Sequence, residues 1–168
     1  MGQVVGVYLA DAAGRPMRSV ESAVAVAGQG LLGDRYLAGT GEWSGDPRMY
    51  DDVTLIAVEA LAAASAQYGV RLAAGASRRN LQTSGVDLDA LVGVCFSVGE
   101  VELRGERLCE PRGYLDTVTG QRAKLALQGR GGLRATVLRG GRLRVGDRVE
   151  VSQAHPATPV DVTGDAGL

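Results

Sequence analysis

Histidine, cysteine and aromatic residues are scarce in this chain, and each shortage closes off a class of chemistry. There is one histidine in 168 residues, His155 in a Pro-rich stretch, so no Ser-His-Asp triad is credible. The two cysteines, Cys95 and Cys109, cannot build a four-thiolate zinc site, and with a single histidine no structural zinc is expected. Met1-Gly2-Gln3-Val4-Val5 lacks the basic region that opens a signal peptide. Reduced thiols in the cytoplasm are therefore expected rather than a disulfide frame. Aromatic residues make up only 4%, which argues against a base-stacking platform for nucleic acid. Acidic and basic side chains nearly balance at a net charge of −1, so nothing draws the chain to nucleic acid or an anionic membrane. No apolar run is long enough to cross a bilayer as a helix.

What is abundant is glycine, with 25 residues, among β-branched runs that favour strands, tight turns and bulges. The length suits one domain with a real core. Strands are expected over Gln3 to Ala10 and Ser22 to Ala27, with a turn at Asp11-Ala12-Ala13-Gly14-Arg15-Pro16 and a short extended run between them. Gly28 to Asp52 reads as a long functional loop, tied down by Trp43 and Tyr50. Val53 to Tyr68 carries the only long helical pattern, ended by Gly69. Arg79 to Thr83 looks extended, and Asp87 to Leu91 makes a turn of helix. Val94, Phe96 and Val98 alternate with Cys95 and Ser97, after which the phase restarts at Val101. A short helix is expected over Tyr114 to Val118, and Leu133 to Leu138 and Leu143 to Val151 read as closing strands. The expected fold is mostly β and barrel-like with a few helical insertions, a single domain over 1–153 followed by a flexible tail over 154–168.

Gly28-Gln29-Gly30-Leu31-Leu32-Gly33 matches a dinucleotide-binding fingerprint, with Asp51 and Asp52 roughly 20 residues on. That site needs the glycines to open a helix, which Tyr36 to Pro47 cannot supply. The Rossmann reading is rejected.

Cys109 lies in Leu108-Cys109-Glu110-Pro111-Arg112-Gly113. Proline stiffens the segment, and a helix beginning just beyond it points a partial positive charge at the loop, favouring thiolate, the form that attacks or ligates. Glu110 acts in the opposite direction, and can also brace the loop or shuttle a proton. A small buried core thiol is the plain alternative.

Taken in order, Gly28-x-Gly30-Leu31-x-Gly33-Asp34-Arg35, Arg79-Asn80-Leu81, Gly85-Val86-Asp87-Leu88, Leu91-Val92-Gly93, Phe96-x-Val98-Gly99, Cys109-Glu110-Pro111, Gly129-Arg130-Gly131-Gly132-Leu133-Arg134-Ala135 and Gly146-Asp147 form a series. The series resembles the MOSC family, named after the carboxy-terminal part of molybdenum cofactor sulfurases, over about Val4 to Val151. It looks like a free-standing small member. The resemblance implies a β-barrel-rich domain that binds a molybdenum–pterin cofactor or handles cysteine-borne sulfur, with reduction of small N-hydroxylated substrates as one activity. It places the reactive thiol in the Cys-Glu-Pro segment, with Cys109 as metal ligand and Glu110 beside it as a catalytic candidate. Relatives commonly read Cys-Glu-Pro-Cys or Pro-Cys here, and this chain has Arg112 after the proline. Either the reactive cysteine is lost, or Cys109 serves from three residues upstream.

The resemblance also puts Arg79 and Asn80 on the cofactor side, where a guanidinium fork can grip phosphate and the amide can meet a pterin. Arg35 and Arg112 are further cofactor-binding candidates. Arg130, Gly131 and Arg134 could form an anion nest or an ordinary hairpin turn. Asp34 reads as a brace for its loop. A redox or sulfur-donor protein is the expected partner, and the chain is expected to be a monomer or homodimer. The rival reading is a non-catalytic module for a phosphate-bearing ligand, in which Arg112 marks lost chemistry.

Overall fold

The computed structural model describes residues 2–42, 44–46 and 51–152. Eleven strands and four short helices follow one another as β1 Gly2–Leu9, β2 Arg18–Val20, β3 Ser22–Val26, β4 Gly30–Leu31, α1 Arg35–Ala38, β5 Val53–Ala57, α2 Val58–Tyr68, β6 Leu81–Ser84, β7 Cys95–Val98, β8 Val101–Leu108, α3 Gly113–Thr119, α4 Ala123–Ala126, β9 Leu133–Arg139, β10 Gly141–Arg144 and β11 Arg148–Val151. A 3-10 turn at Asp89–Leu91 sits where a turn of helix is expected.

Seven strands close into a barrel in the order β11-β7-β8-β9-β5-β6-β1, and β1 returns to β11 through Gly2 opposite Val149 and Gln3 opposite Arg148. β2 extends the sheet beyond β1, and β10, β3 and β4 form a separate three-stranded sheet. Closure removes the open edges that a lone sheet would expose. All barrel pairs are antiparallel except β5 with β6, where Leu55 faces Leu81. A parallel pair needs a crossover, and α2 is that crossover.

Alternation selects the interior. In β7 Phe96 and Val98 are buried while Cys95 and Ser97 are half-buried. They join Val4, Val7, Leu55, Leu81, Leu103, Leu133 and Val149 in one core, where each large apolar side chain contributes about 1.5–3 kcal/mol. Ile56 takes the opposite face of β5 and packs with Ala64, Leu115, Ala123, Ala126 and Leu127 in a second cluster among the helices.

Three expectations are corrected. Val53 to Ala57 is strand, not the first turns of the helix, because burial on both faces, Leu55 inward and Ile56 outward, suits a sheet covered by helices. The stretch from Gly28 is not without regular structure: it holds β4 and α1, with the Asp34 side chain accepting from Tyr36 N at the cap. Leu143 to Val151 is not one strand but two in different sheets, broken at Gly146, where φ is 95°. Trp43, Tyr50 and the tail from 153 onward lie outside the described residues. Gly69 caps α2 with φ 65°, as expected, and Gly120 caps α3 with φ 66°.

Two stability tests follow from the barrel wall. Gly132 has φ 104°, and a Cβ there would strike the Leu55 carbonyl, so Gly132→Ala should cost about 3 kcal/mol or prevent folding, as read by urea unfolding. Asp52 accepts from Val137 N at 3.0 Å. Burial above all, then Asp51 and Glu106, raise its carboxyl above the ordinary 3.8. A raised carboxyl favours folding while protonated, and that contribution disappears as pH rises through the raised value. Asp52→Asn keeps the acceptor without the charge, so it should be more stable than the parent at pH 7 by about 1 kcal/mol or less, with the gap closing below about pH 3.8 in melting curves.

Candidate functional site

Beside the barrel, five arginines meet in one cleft with about 430 Å³ of empty space counting its mouth. Arg35 comes from α1, Arg78 and Arg79 from the run into β6, Arg112 from the cap of α3 and Arg134 from β9. Tyr36, Tyr114 and Leu115 line it too, and the carboxylates in its wall are Glu42 and Glu110.

Much of this charge is buried, so each guanidinium must find acceptors. Arg35, 4% exposed, pairs with Asp34 at 3.0 Å and donates to the Arg78 carbonyl at 3.1 Å. Asp34 also accepts from Ala10 N at 3.1 Å, which ties α1 to the end of β1. The structure thus uses Asp34 as the expected brace.

Arg78 is the residue that sequence reasoning passed over. Its φ of +60° is the left-handed region, unusual for a side chain without glycine's freedom, and costs about 1–2 kcal/mol. The conformation is held from both ends: its N–H donates to Gly75 O at 3.0 Å and its carbonyl accepts from Arg35. The guanidinium donates through Nη1 to Arg15 O at 2.7 Å and lies 5.9 Å from the Tyr114 ring centroid. Nη2 is buried and has no hydrogen-bond partner among the described residues. Burial first, and the neighbouring Arg35 charge second, push this group below its ordinary value. An anion in the cleft would relieve both.

Arg79 is a clasp. Nε donates to Gly131 O at 2.9 Å, Nη2 to Cys109 O at 3.2 Å and Nη1 to Ser77 O at 3.3 Å. It joins three chain segments while still lining the cleft. Asn80 is fully committed elsewhere: Oδ1 accepts from Thr54 N and Oγ1 at 3.1 and 3.2 Å, and Nδ2 donates to Tyr8 O at 3.2 Å. It knits β1, β5 and β6 together behind the site and does not line the cleft.

The Cys109 loop presses on the Gly131 loop. Cys109 N donates to Gly132 O at 2.7 Å, and a Cβ on Gly131 would collide with the Cys109 carbonyl. Gly131 serves this close approach and presents its carbonyl to Arg79. The Cys109 thiol is 3% exposed and does not line the cleft; Sγ accepts from Arg134 Nε at 3.4 Å. Glu110 lines the cleft and accepts from Gly129 N at 3.4 Å. Arg130 lies outside the constellation, donating to Gln67 at 2.9 Å and lining a separate surface hollow. Of the sequence candidates, Arg35, Arg79, Glu110, Arg112 and Arg134 are brought together. Among the described residues no cluster of three Cys, His, Asp or Glu side chains is placed to hold a metal ion.

The sequence matches the MOSC domain family over residues 48–150. The chain belongs to that family. Among curated proteins none matches it significantly. Solved MOSC-type structures share its fold. The YuaD protein of Bacillus subtilis superposes with a TM-score of 0.71 at 21% identity, covering 90% of this chain and 96% of that one. YiiM of Geobacillus stearothermophilus gives 0.71 at 14% identity over 91% and 76% of the two chains. YiiM of Escherichia coli gives 0.69 at 17% over 91% and 70%. At such identities the likeness establishes the MOSC architecture, and the site rests on its own residues.

Asp34 neutralises a buried guanidinium, so Asp34→Asn should destabilise the protein by about 3 kcal/mol in urea unfolding. Asp34→Glu should recover only part, since the longer side chain must serve Ala10 N, Tyr36 N and Arg35 at once.

Proposed function

We propose that the cleft binds a phosphate-bearing ligand, in this family's setting the molybdenum–pterin cofactor, and that the arginines hold its phosphate end. The observation that carries this reading is five guanidinium groups on one cleft against two carboxylates among the described residues. Phosphate offers several anionic oxygens to planar, forked donors such as these guanidinium groups.

The phosphate half of the cofactor suits this donor set and the metal half does not. A thiolate ligand must face the ligand, whereas Cys109 Sγ lies one hydrogen bond behind Arg134. Metal ligation is therefore not part of the proposal. Bound, the cofactor would supply two-electron chemistry; the chain's own residues bind and orient it. Reduction of an N-hydroxylated substrate and transfer of cysteine-borne sulfur both need the thiol in the open, so either requires Arg134 to leave it first. Both cysteines are free, in keeping with a reducing, cytoplasmic home. No described helix is long and apolar enough to cross a membrane.

The test is pterin and molybdenum content, with intact mass, on protein made in a host that synthesises the cofactor, together with pyrophosphate titration of the purified chain. Pterin should copurify, Arg112→Gln should weaken pyrophosphate binding about tenfold (about 1.4 kcal/mol), and Cys109→Ser should change neither. Loss of molybdenum alone in Cys109→Ser would replace this reading with metal ligation. A cyanide-labile sulfur on Cys109 without pterin would replace it with a sulfur carrier. A folded chain that binds neither pterin nor pyrophosphate would end it.

A further inference from the structure

Arg78 faces two spaces. On one side is the arginine cleft, and on the other a hollow of about 580 Å³ counting its open mouth, walled by Pro16, Met17, Ala74, Ala76 and Val118. Arg78 lines both spaces, and Tyr114 lines the cleft. A Cβ on Gly14, at the rim of the hollow, would lie 3.7 Å from the Tyr114 hydroxyl. Arg78 Nη1 reaches Arg15 O, between Gly14 and Pro16 on that same rim.

We infer that this hollow is a second binding site, one for a small organic acid whose carboxylate meets Arg78 and whose hydrocarbon body lies along Pro16, Met17 and Val118. Three observations fix the class. Arg78 lines the hollow while only 8% exposed, and the fold leaves one of its guanidinium nitrogens, Nη2, without a hydrogen-bond partner among the described residues. Among the described residues Arg78 is the charged one lining the hollow, which suits one negative charge rather than the multiple charges of a phosphate. The remaining walls are small or apolar and suit a short alkyl body, with the Thr119 hydroxyl already donating to Leu115 O at 2.7 Å. Arg78 also holds a left-handed backbone, and such strain concentrates at ligand sites. The inference does not depend on what fills the cleft.

The test titrates hexanoate, and separately hexanol, into the full chain and follows backbone amide shifts by NMR. Val118 is 39% exposed on α3 and does not line the cleft, so it can be changed without disturbing the fold or the first site. Hexanoate should bind weakly, with Kd on the order of 1 mM for so small a ligand, shifting Gly75, Ala76 and Val118. Val118→Glu should weaken it about tenfold and Val118→Lys should tighten it, while pyrophosphate binding stays at parental strength in both. Equal shifts from hexanol, unchanged hexanoate binding in Val118→Glu, or shifts confined to Glu110 and Arg112 would each overturn the second site. None of these outcomes touches the pyrophosphate result, so the two proposals fail separately.

Discussion

Burial of positive charge beside the barrel is the constraint on which the rest of this structure depends. Arg35, Arg78 and Arg134 are each less than one-tenth exposed, and the buried carboxylate among the described residues is Asp34. Asp34 pairs with Arg35, and a guanidinium left without acceptors in such a setting costs several kcal/mol. The chain answers with carbonyl oxygens. Arg35 takes the Arg78 carbonyl, Arg78 takes that of Arg15, and Arg79 takes those of Ser77, Cys109 and Gly131. Carbonyls satisfy the N–H groups but cancel no charge. An anionic ligand in the cleft, as proposed above, would add countercharge that these carbonyls do not supply.

Supplying those carbonyls in one place sets the topology around the cleft. The parallel β5–β6 pair needs a helical crossover, and the return from that crossover delivers Ser77, Arg78 and Arg79 at the mouth of β6. The antiparallel β8–β9 pair brings the Cys109 loop against the Gly131 loop from the other side. Gly131 and Gly132 stand where a Cβ would meet the Cys109 and Leu55 carbonyls, so glycine there is what lets the backbones approach closely enough for Arg79 to span them. Strand pairing, glycine placement and the Arg79 clasp are thus one arrangement viewed at three scales.

The barrel was legible in the sequence because its signals are local. The alternation at Phe96 and Val98, the capping glycines Gly69 and Gly120, and the ordered motif series each report on their own neighbourhood. Val53 to Ala57 misled because a strand buried on both faces loses its alternation and, placed before an alanine-rich run, reads as helix. The site was half legible. A lone arginine says nothing about its φ, so Arg78 could not be singled out; its strain comes from Gly75 and Arg35, distant in role if not in space. Asn80 was visible as polar and well placed, but its partners, Thr54 and Tyr8, are fixed by strand register, which no single segment encodes. Arg130 and Arg134 flank the same glycines, yet only the second lines the cleft.

Arg112 gives the clearest reading of what this cleft prefers. The resemblance read from the sequence implies cysteine at this position, a soft ligand for a thiophilic metal when deprotonated. Here the residue caps α3 with extended backbone, φ −116° and ψ 163°, and lines the cleft. Exchanging a thiolate for a guanidinium changes the local charge from negative to positive and turns an electron-pair donor into a hydrogen-bond donor. Cation binding loses on both counts, and binding of an oxyanion gains on both. The thiol of Cys109 accepts from Arg134, its N–H donates to the Gly132 carbonyl and its own carbonyl accepts from the Arg79 guanidinium. The same loop that would present a thiol in a metal site here presents a cation. On the proposed reading, a barrel shared with the YuaD and YiiM structures would here offer guanidinium groups to an anionic ligand.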